Sequence, residues 1–175
     1  ASIFADREFR VMEAAWRGLE ATLKQMKKGD NGAVKMDIVS VAPETLTDVF
    51  AYMRERLIVN PPNMIIIDLP FENNPDSLEK LAEISSFGEM LLSPVLFWLK
   101  PSFFHLGGWS ELGHLPYLGN YIDDARYAKW RNLRKEPAGR WLAATCNGFL
   151  IRPPYGKDYR PRTVFFKEEE PLWIS

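Results

Sequence analysis

The sequence predicts an α/β protein, with a mostly parallel or mixed sheet of about four strands flanked by helices in three layers. Segments of strand and helix character alternate between residues 36 and 99, the order that favours parallel pairing through right-handed crossovers. Met64-Ile65-Ile66-Ile67 is short and continuously apolar, as in a strand covered on both faces. Two stretches, 9–26 and 44–57, place apolar residues at helical spacing. At 175 residues the chain is long enough for one domain with a sizeable core, and residues 1–175 are read as a single α/β domain.

The first helix rests on Phe9, Met12, Trp16, Leu19, Leu23 and Met26, which recur at alternating steps of three and four. Trp16 lies mid-stripe and is expected in the core. Arg17 lies off the stripe and is expected to reach a carboxylate. Gly29 is a plausible stop. Met36-Asp37-Ile38-Val39-Ser40-Val41 is β-branched and partly alternating, so a strand is expected there, ended by Pro43. Leu46, Val49, Phe50, Met53 and Leu57 define a second amphipathic helix over 44–57, and Asn60-Pro61-Pro62-Asn63 is a loop.

A strand at 64–67 follows. After Asn73-Asn74-Pro75, Asp76 or Ser77 can cap a helix over 78–92, whose small residues Ala82, Ser85 and Gly88 suit close packing. Pro94 to Leu99 is a further strand. Residues 101–122 are aromatic, glycine-containing and irregular. Asp123 or Asp124 can start a helix that runs through Leu133, and 140–145 supplies a fourth strand. Residues 152–175 are extended and governed by proline.

Composition excludes several classes. Lys plus Arg number 22 against 23 acids, which removes a global electrostatic case for nucleic acid or an anionic membrane as partner. The single Cys146 excludes an internal disulfide framework, fits a reducing compartment, and is read as a buried small hydrophobe. The apolar stretch 91–109 is broken by Pro94, Lys100, Pro101 and His105 and cannot span a bilayer as a helix.

The turns Ala42-Pro43-Glu44, Leu69-Pro70-Phe71 and Lys100-Pro101-Ser102 carry no glycine-rich phosphate loop, and proline there removes amide donors. His105 and His114, with Glu111 between them, lack a zinc-site spacing and are read as loop histidines bonded to backbone. Asp68 at a strand end is read as a loop-capping aspartate. Arg126, Lys129, Arg131, Arg134, Lys135 and Arg140 interleave with Tyr127, Trp130 and Trp141, but Asp123, Asp124 and Glu136 dilute that charge. No cofactor and no metal is expected.

Four stretches carry a family pattern. Glu13-Ala14-Ala15-Trp16-Arg17-Gly18-Leu19 reads "E-x-x-W-R-G-L". Ala125 to Arg134 contains "YAKWRxxR", Phe149 to Gly156 is close to "FLLRLPYG", and Leu172-Trp173 follows an acidic, aromatic stretch. In order and spacing these resemble the large contractile-sheath subunit family of bacterial type VI secretion systems. Asp68-Leu69-Pro70-Phe71-Glu72 stands where that family has a "GDYEF"-like sequence.

The resemblance implies a structural, non-enzymatic and cytoplasmic protein. Its implied partners are a small sheath subunit, other copies of itself and an inner tube of ring-shaped hexamers, with an AAA+ unfoldase acting indirectly on the contracted form. Members are longer than 175 residues, so the chain is expected to be a middle fragment. Arg17, Trp130, Arg131, Arg134, Arg152 and Tyr155 are the interface candidates, since aromatic and arginine residues dominate contact energies. The alternative reading is a small-ligand α/β enzyme using Asp68 with His105 or His114. That reading requires those groups to meet in one pocket.

Overall fold

The computed structural model describes residue 3 and residues 6–29, 34–146, 148–156, 159, 167–168 and 171–174. The chain divides into two compact units, one from residues 1–39 and 147–175 and the other from Ser40 to Cys146.

The larger unit holds the α/β sheet. Helix α2 (Leu46–Val59) leads into strand β1 (Ile65–Phe71), helix α3 (Pro75–Leu91) and strand β2 (Val95–Leu99). Short helical turns follow at Pro101–Phe104 and Trp109–His114, then α4 (Leu118–Ile122), a turn at Ala125–Tyr127, α5 (Ala128–Lys135), a turn at Pro137–Trp141 and strand β3 (Leu142–Thr145). The strands pair in the order β1-β2-β3 and are all parallel, with Val95 opposite both Ile65 and Leu142. The α/β class is as the sequence predicts. The register of β1 against β2 shifts between Ile67 and Pro70, where proline has no amide to give the ladder.

One core cluster joins the sheet to the helices. Leu81 and Ile84 of α3, Val95 and Phe97 of β2, Phe103 and Tyr127 are buried in it. The alternation along β1 points Ile67 and Phe71 inward and leaves Ile66 60% exposed, where spacing had suggested a strand covered on both faces. The aromatic stretch 101–122 is less irregular than expected. Phe103 and Phe104 fold straight back into the core at the end of β2, and the hydroxyls of Tyr127 and Tyr121 donate to their carbonyls at 3.0 and 2.7 Å.

Helix α3 starts where its cap allows. Asn74, rather than Asp76 or Ser77, is the cap, and its side chain accepts from the Ser77 amide at 2.8 Å with Pro75 in the first turn. Gly88 lies at a close approach as the small-residue face implied. A Cβ there would stand 3.0 Å from the Ser93 carbonyl oxygen and 3.2 Å from Trp141 Cβ. The helix ends on Leu92 in the left-handed conformation, φ 53°, with the side chain exposed.

That conformation costs a β-carbon-bearing residue about 1–2 kcal/mol, against roughly 0.5–1 kcal/mol of extra unfolded-chain freedom for glycine. Leu92→Gly is therefore expected to stabilise the chain by about 0.5–1 kcal/mol. A urea midpoint equal to or below wild type would contradict this.

The smaller unit contains helix α1 (Arg7–Gly29) and an antiparallel pair, β4 (Phe149–Arg152) with β5 (Leu172–Ile174). Asp6 caps α1 by accepting from the Phe9 amide at 3.0 Å. Three expectations are corrected here and at the neighbouring boundary. Residues 34–41 take no regular structure, although their alternation suggested a strand. Trp16, expected in the core, is 66% exposed, because α1 turns Glu13 and Arg17 inward instead. Cys146 is exposed rather than buried.

Candidate functional site

The polar centre of the smaller unit is built around Arg152. This side chain is only 2% exposed, yet every N–H of its guanidinium has an acceptor. Nε and Nη2 donate to the two carboxylate oxygens of Glu13 at 3.0 and 2.8 Å. Nη1 and Nη2 fork onto Glu168, the Nη2 bond measuring 3.0 Å, and Nη1 also donates to the Pro153 carbonyl at 3.2 Å. Two bidentate pairs on one guanidinium is the arrangement that planar recognition of carboxylate allows.

Around this fork the cluster closes. Arg17 Nε donates to Glu13 at 2.7 Å, one helical turn away, and its Nη2 donates to the Tyr155 hydroxyl at 2.9 Å. The Tyr155 ring lies under the Arg152 guanidinium, 3.8 Å from its carbon to the ring centroid. Tyr155 and Glu168 exchange further bonds, amide to carboxylate at 2.9 Å and amide to carbonyl at 2.8 Å. Two arginines and two glutamates make the cluster neutral overall.

Burial opposes ionisation of both glutamates, but the hydrogen bonds from Arg152, with Arg17 on Glu13 and the Tyr155 amide on Glu168, outweigh it. Both carboxyls are held below the ordinary carboxylate value. Burial likewise opposes the charge on Arg152, and its two glutamate partners still raise its pKa.

Of the sequence candidates, Arg17, Arg152 and Tyr155 thus meet in one cluster. Glu13 and Glu168 were not among the candidates; Glu13 opens the "E-x-x-W-R-G-L" stretch, but nothing local pairs it with Arg152, 139 positions away. The other three candidates lie together on α5. Trp130 is buried edge-on against Phe103, at 5.3 Å and 81°. Arg131 Nη1 donates to the carbonyls of Ile122 and Asp124 at 2.7 and 2.6 Å, closing the end of α4. Arg134 is exposed, its guanidinium 5.7 Å from the centre of the Trp130 ring.

The residues of the enzyme reading are engaged separately. Asp68 lies within β1 and accepts from Trp98 Nε1 at 3.2 Å. His105 ends a turn in the left-handed conformation with its ring 5.8 Å from that of Tyr127, and His114 ends the turn Trp109–His114. Glu111 takes the Gly107 amide at 2.9 Å. One surface cleft runs along α1 past Val11, Met12 and Ala15. Another lies between α3 and α5 beside Leu78, Ala82 and Leu133. Neither is lined by Asp68, His105 or His114. Among the described residues, no group of three His, Cys, Asp or Glu side chains could hold a metal ion. No helix among them is long and apolar enough to cross a membrane.

The EvpB/VC_A0108 tail sheath N-terminal domain family matches residues 59–172, well over half of the chain. The chain belongs to this tail-sheath family. Members are contractile-sheath subunits of type VI secretion systems, and this sheath domain is a structural component of that kind. The matched span includes the "YAKWR" block on α5 and the Phe149–Gly156 segment with Arg152 and Tyr155. No curated protein matches the chain.

The buried carboxylates make the sheath domain's smaller unit sensitive to acid. A group whose folded pKa is depressed stabilises the fold fully above its unfolded value, here near 4.5, and loses that contribution as the pH falls through the folded value. Hydrogen-exchange protection of α1, corrected for intrinsic rate, is expected to hold from pH 7 down to about 4.5 and to fall below it. Protection that is flat to pH 3 would rule this out.

Proposed function

We propose that this sheath domain works as part of a large sheath subunit. It assembles with a small sheath subunit and with copies of itself into a helical sleeve around an inner tube of hexameric rings. The sleeve works in the bacterial cytoplasm by contraction, its role structural rather than catalytic, and an AAA+ unfoldase recycles the contracted form.

The observation that supports this reading best is that two signature stretches, Glu13–Leu19 and Phe149–Gly156, satisfy each other inside the fold. The residues that carry the family pattern are spent on architecture, as a packing protein requires. Exposed apolar residues add to it: Val11, Met12 and Trp16 on α1, and Tyr52, Ile58 and Val59 on α2.

Of the six interface candidates, Arg134 is the exposed member on α5 and meets a neighbouring subunit directly. Arg131 and Arg17 do so with the part of each side chain that remains accessible. Trp130, Arg152 and Tyr155 act from beneath, by holding α5 and α1 in place.

Electron microscopy of the full-length subunit, co-expressed with a small sheath subunit, tests this. Helical tubules are expected, and Arg134→Glu, a surface change that leaves circular dichroism unaltered, is expected to shorten or abolish them. Soluble particles without tubules from the unaltered pair would overturn the assembly reading, and normal tubules from the variant would remove Arg134 from the contact.

A further inference from the structure

Parallel sheets are buried on both faces, because the crossovers that join their strands lay helices against them. Among the described residues this sheet is covered by helices on one face. Leu81 and Ile84 of α3 and Leu133 of α5 share the core cluster with Ile67, Phe97 and Leu142. The strand order β1-β2-β3 gives the reason: two right-handed crossovers that step in the same direction put their helices on the same side. The opposite face presents Ile66, Asp68, Leu96, Trp98, Ala143 and Thr145. Leu96 and Trp98 are half-buried and the other four are exposed. Asp68 is the one charged group among them, and it is held in place by the indole N–H of Trp98.

Helix α1 has the converse shape. It is seated through Glu13 and Arg17, and on the side turned away from them Val11, Met12, Ala15 and Trp16 are exposed. Phe9, Leu19, Leu23 and Met26 are half-buried, so the bare patch is confined to fewer than two turns. Arg7 and Glu8, both exposed, close it at its N-terminal end.

We infer that α1 of a second copy lies on the bare sheet face, with its Val11–Trp16 patch over Ile66 and Leu96 and its Arg7 opposite Asp68. The inference rests on the reading of this chain as a sheath subunit that assembles with copies of itself, and it names one contact of that assembly. Each copy carries one helix patch without a sheet and one sheet face without a helix, so every copy can satisfy both. The charges match as well: the sheet face holds a single acid, and Arg7 stands one turn before Val11 on the same side of its helix. Ala143 and Thr145 are small and leave room for a helix beside Trp98. Because the two patches are different surfaces, the contact is head-to-tail and repeats from copy to copy, the geometry that builds an open helical array.

Chemical linking in assembled sleeves tests the contact. The full-length subunit carrying Met12→Cys, Ile66→Cys and Cys146→Ser is co-expressed with a small sheath subunit, and the purified sleeves are treated with a short bismaleimide. A ladder of linked dimers, trimers and longer chains is expected, with at least ten-fold less of it from either single cysteine variant. Sleeves that form normally and give no ladder would overturn the contact, since the face would then be covered by its own chain or by a different partner. Absence of sleeves from the unaltered pair would overturn the assembly reading, and this contact with it. Charge exchange decides the matter where the cysteine variants fail to assemble. Asp68→Arg is expected to lower the yield of tubules several-fold, and Arg7→Asp added to it to restore most of the loss. No loss from the first substitution, or a loss that the second leaves in place, would also overturn the contact.

Discussion

Arg152→Ala is expected to lower the stability of the unit formed by α1, β4 and β5 by about 3–5 kcal/mol, the usual cost of removing one partner from a buried ionic pair. The reasoning starts from what is left behind. Glu13 and Glu168 would keep their place in a water-poor interior with neither fork of the guanidinium, and Tyr155 would lose the cation over its ring. Much of the loss is the penalty of stranded charge, so it should depend on pH.

Without Arg152, burial works against the carboxylates with only Arg17 left on Glu13 and the Tyr155 amide on Glu168, so both carboxyl pKa values rise from their wild-type position. The deficit relative to wild type therefore shrinks as the pH is lowered into the carboxyl range. Arg152→Lys keeps the charge but cannot fork onto two carboxylates, so it should recover only part of the loss. Urea unfolding with segment-resolved hydrogen exchange measures all three. A deficit under about 1 kcal/mol for the alanine variant would mean that the cluster contributes no more than a surface pair.

Gly139→Ala is the second large effect, and it acts in the other unit. A Cβ at Gly139 would stand 2.3 Å from the Leu133 carbonyl oxygen and 3.2 Å from Arg134 Cα. Both are backbone atoms of α5, so no side chain can swing aside to make room. The turn Pro137–Trp141 would have to move off the end of α5, carrying with it the start of β3 at Leu142, which is buried against β2. Overpacking of this kind costs about 3 kcal/mol, at the upper end of what inserted atoms do in a packed core. Gly113→Ala is the matched control, since a Cβ there meets nothing within 4 Å and should change stability by less than about 0.5 kcal/mol. Equal denaturation midpoints for the two variants would show that the turn yields easily.

The elements most readable from residue spacing are those whose signal is local. Apolar residues at steps of three and four marked α1 and α2, helical spacing from Leu78 marked α3 although its cap proved to be Asn74 rather than Asp76 or Ser77, and the short apolar run at 64–67 marked β1. Gly88 was legible as a close approach because small residues at helical spacing have few other uses. The motif on α5 and the Phe149–Gly156 segment carried the family, which the match over residues 59–172 bears out.

Other features depended on partners far along the chain. The alternation at 36–41 is that of a strand, but strand formation needs a neighbour to complete its ladder, and residues 34–41 take no regular structure. The pairing of β4 with β5 joins residues about twenty positions apart, across a segment whose prolines gave it only an extended reading.

Helix α1 shows the division most clearly. Its spacing was enough to establish a helix and an apolar stripe, because both depend on the repeat of 3.6 residues alone. Which side of that helix is turned inward was decided by Arg152 and Glu168, more than a hundred positions away, whose fork reaches Glu13 and leaves Trp16 outside. Periodicity is a property of neighbouring residues, whereas the strength of a buried ion pair depends on distance, angle and exclusion of water, which exist only once the distant segments have come together.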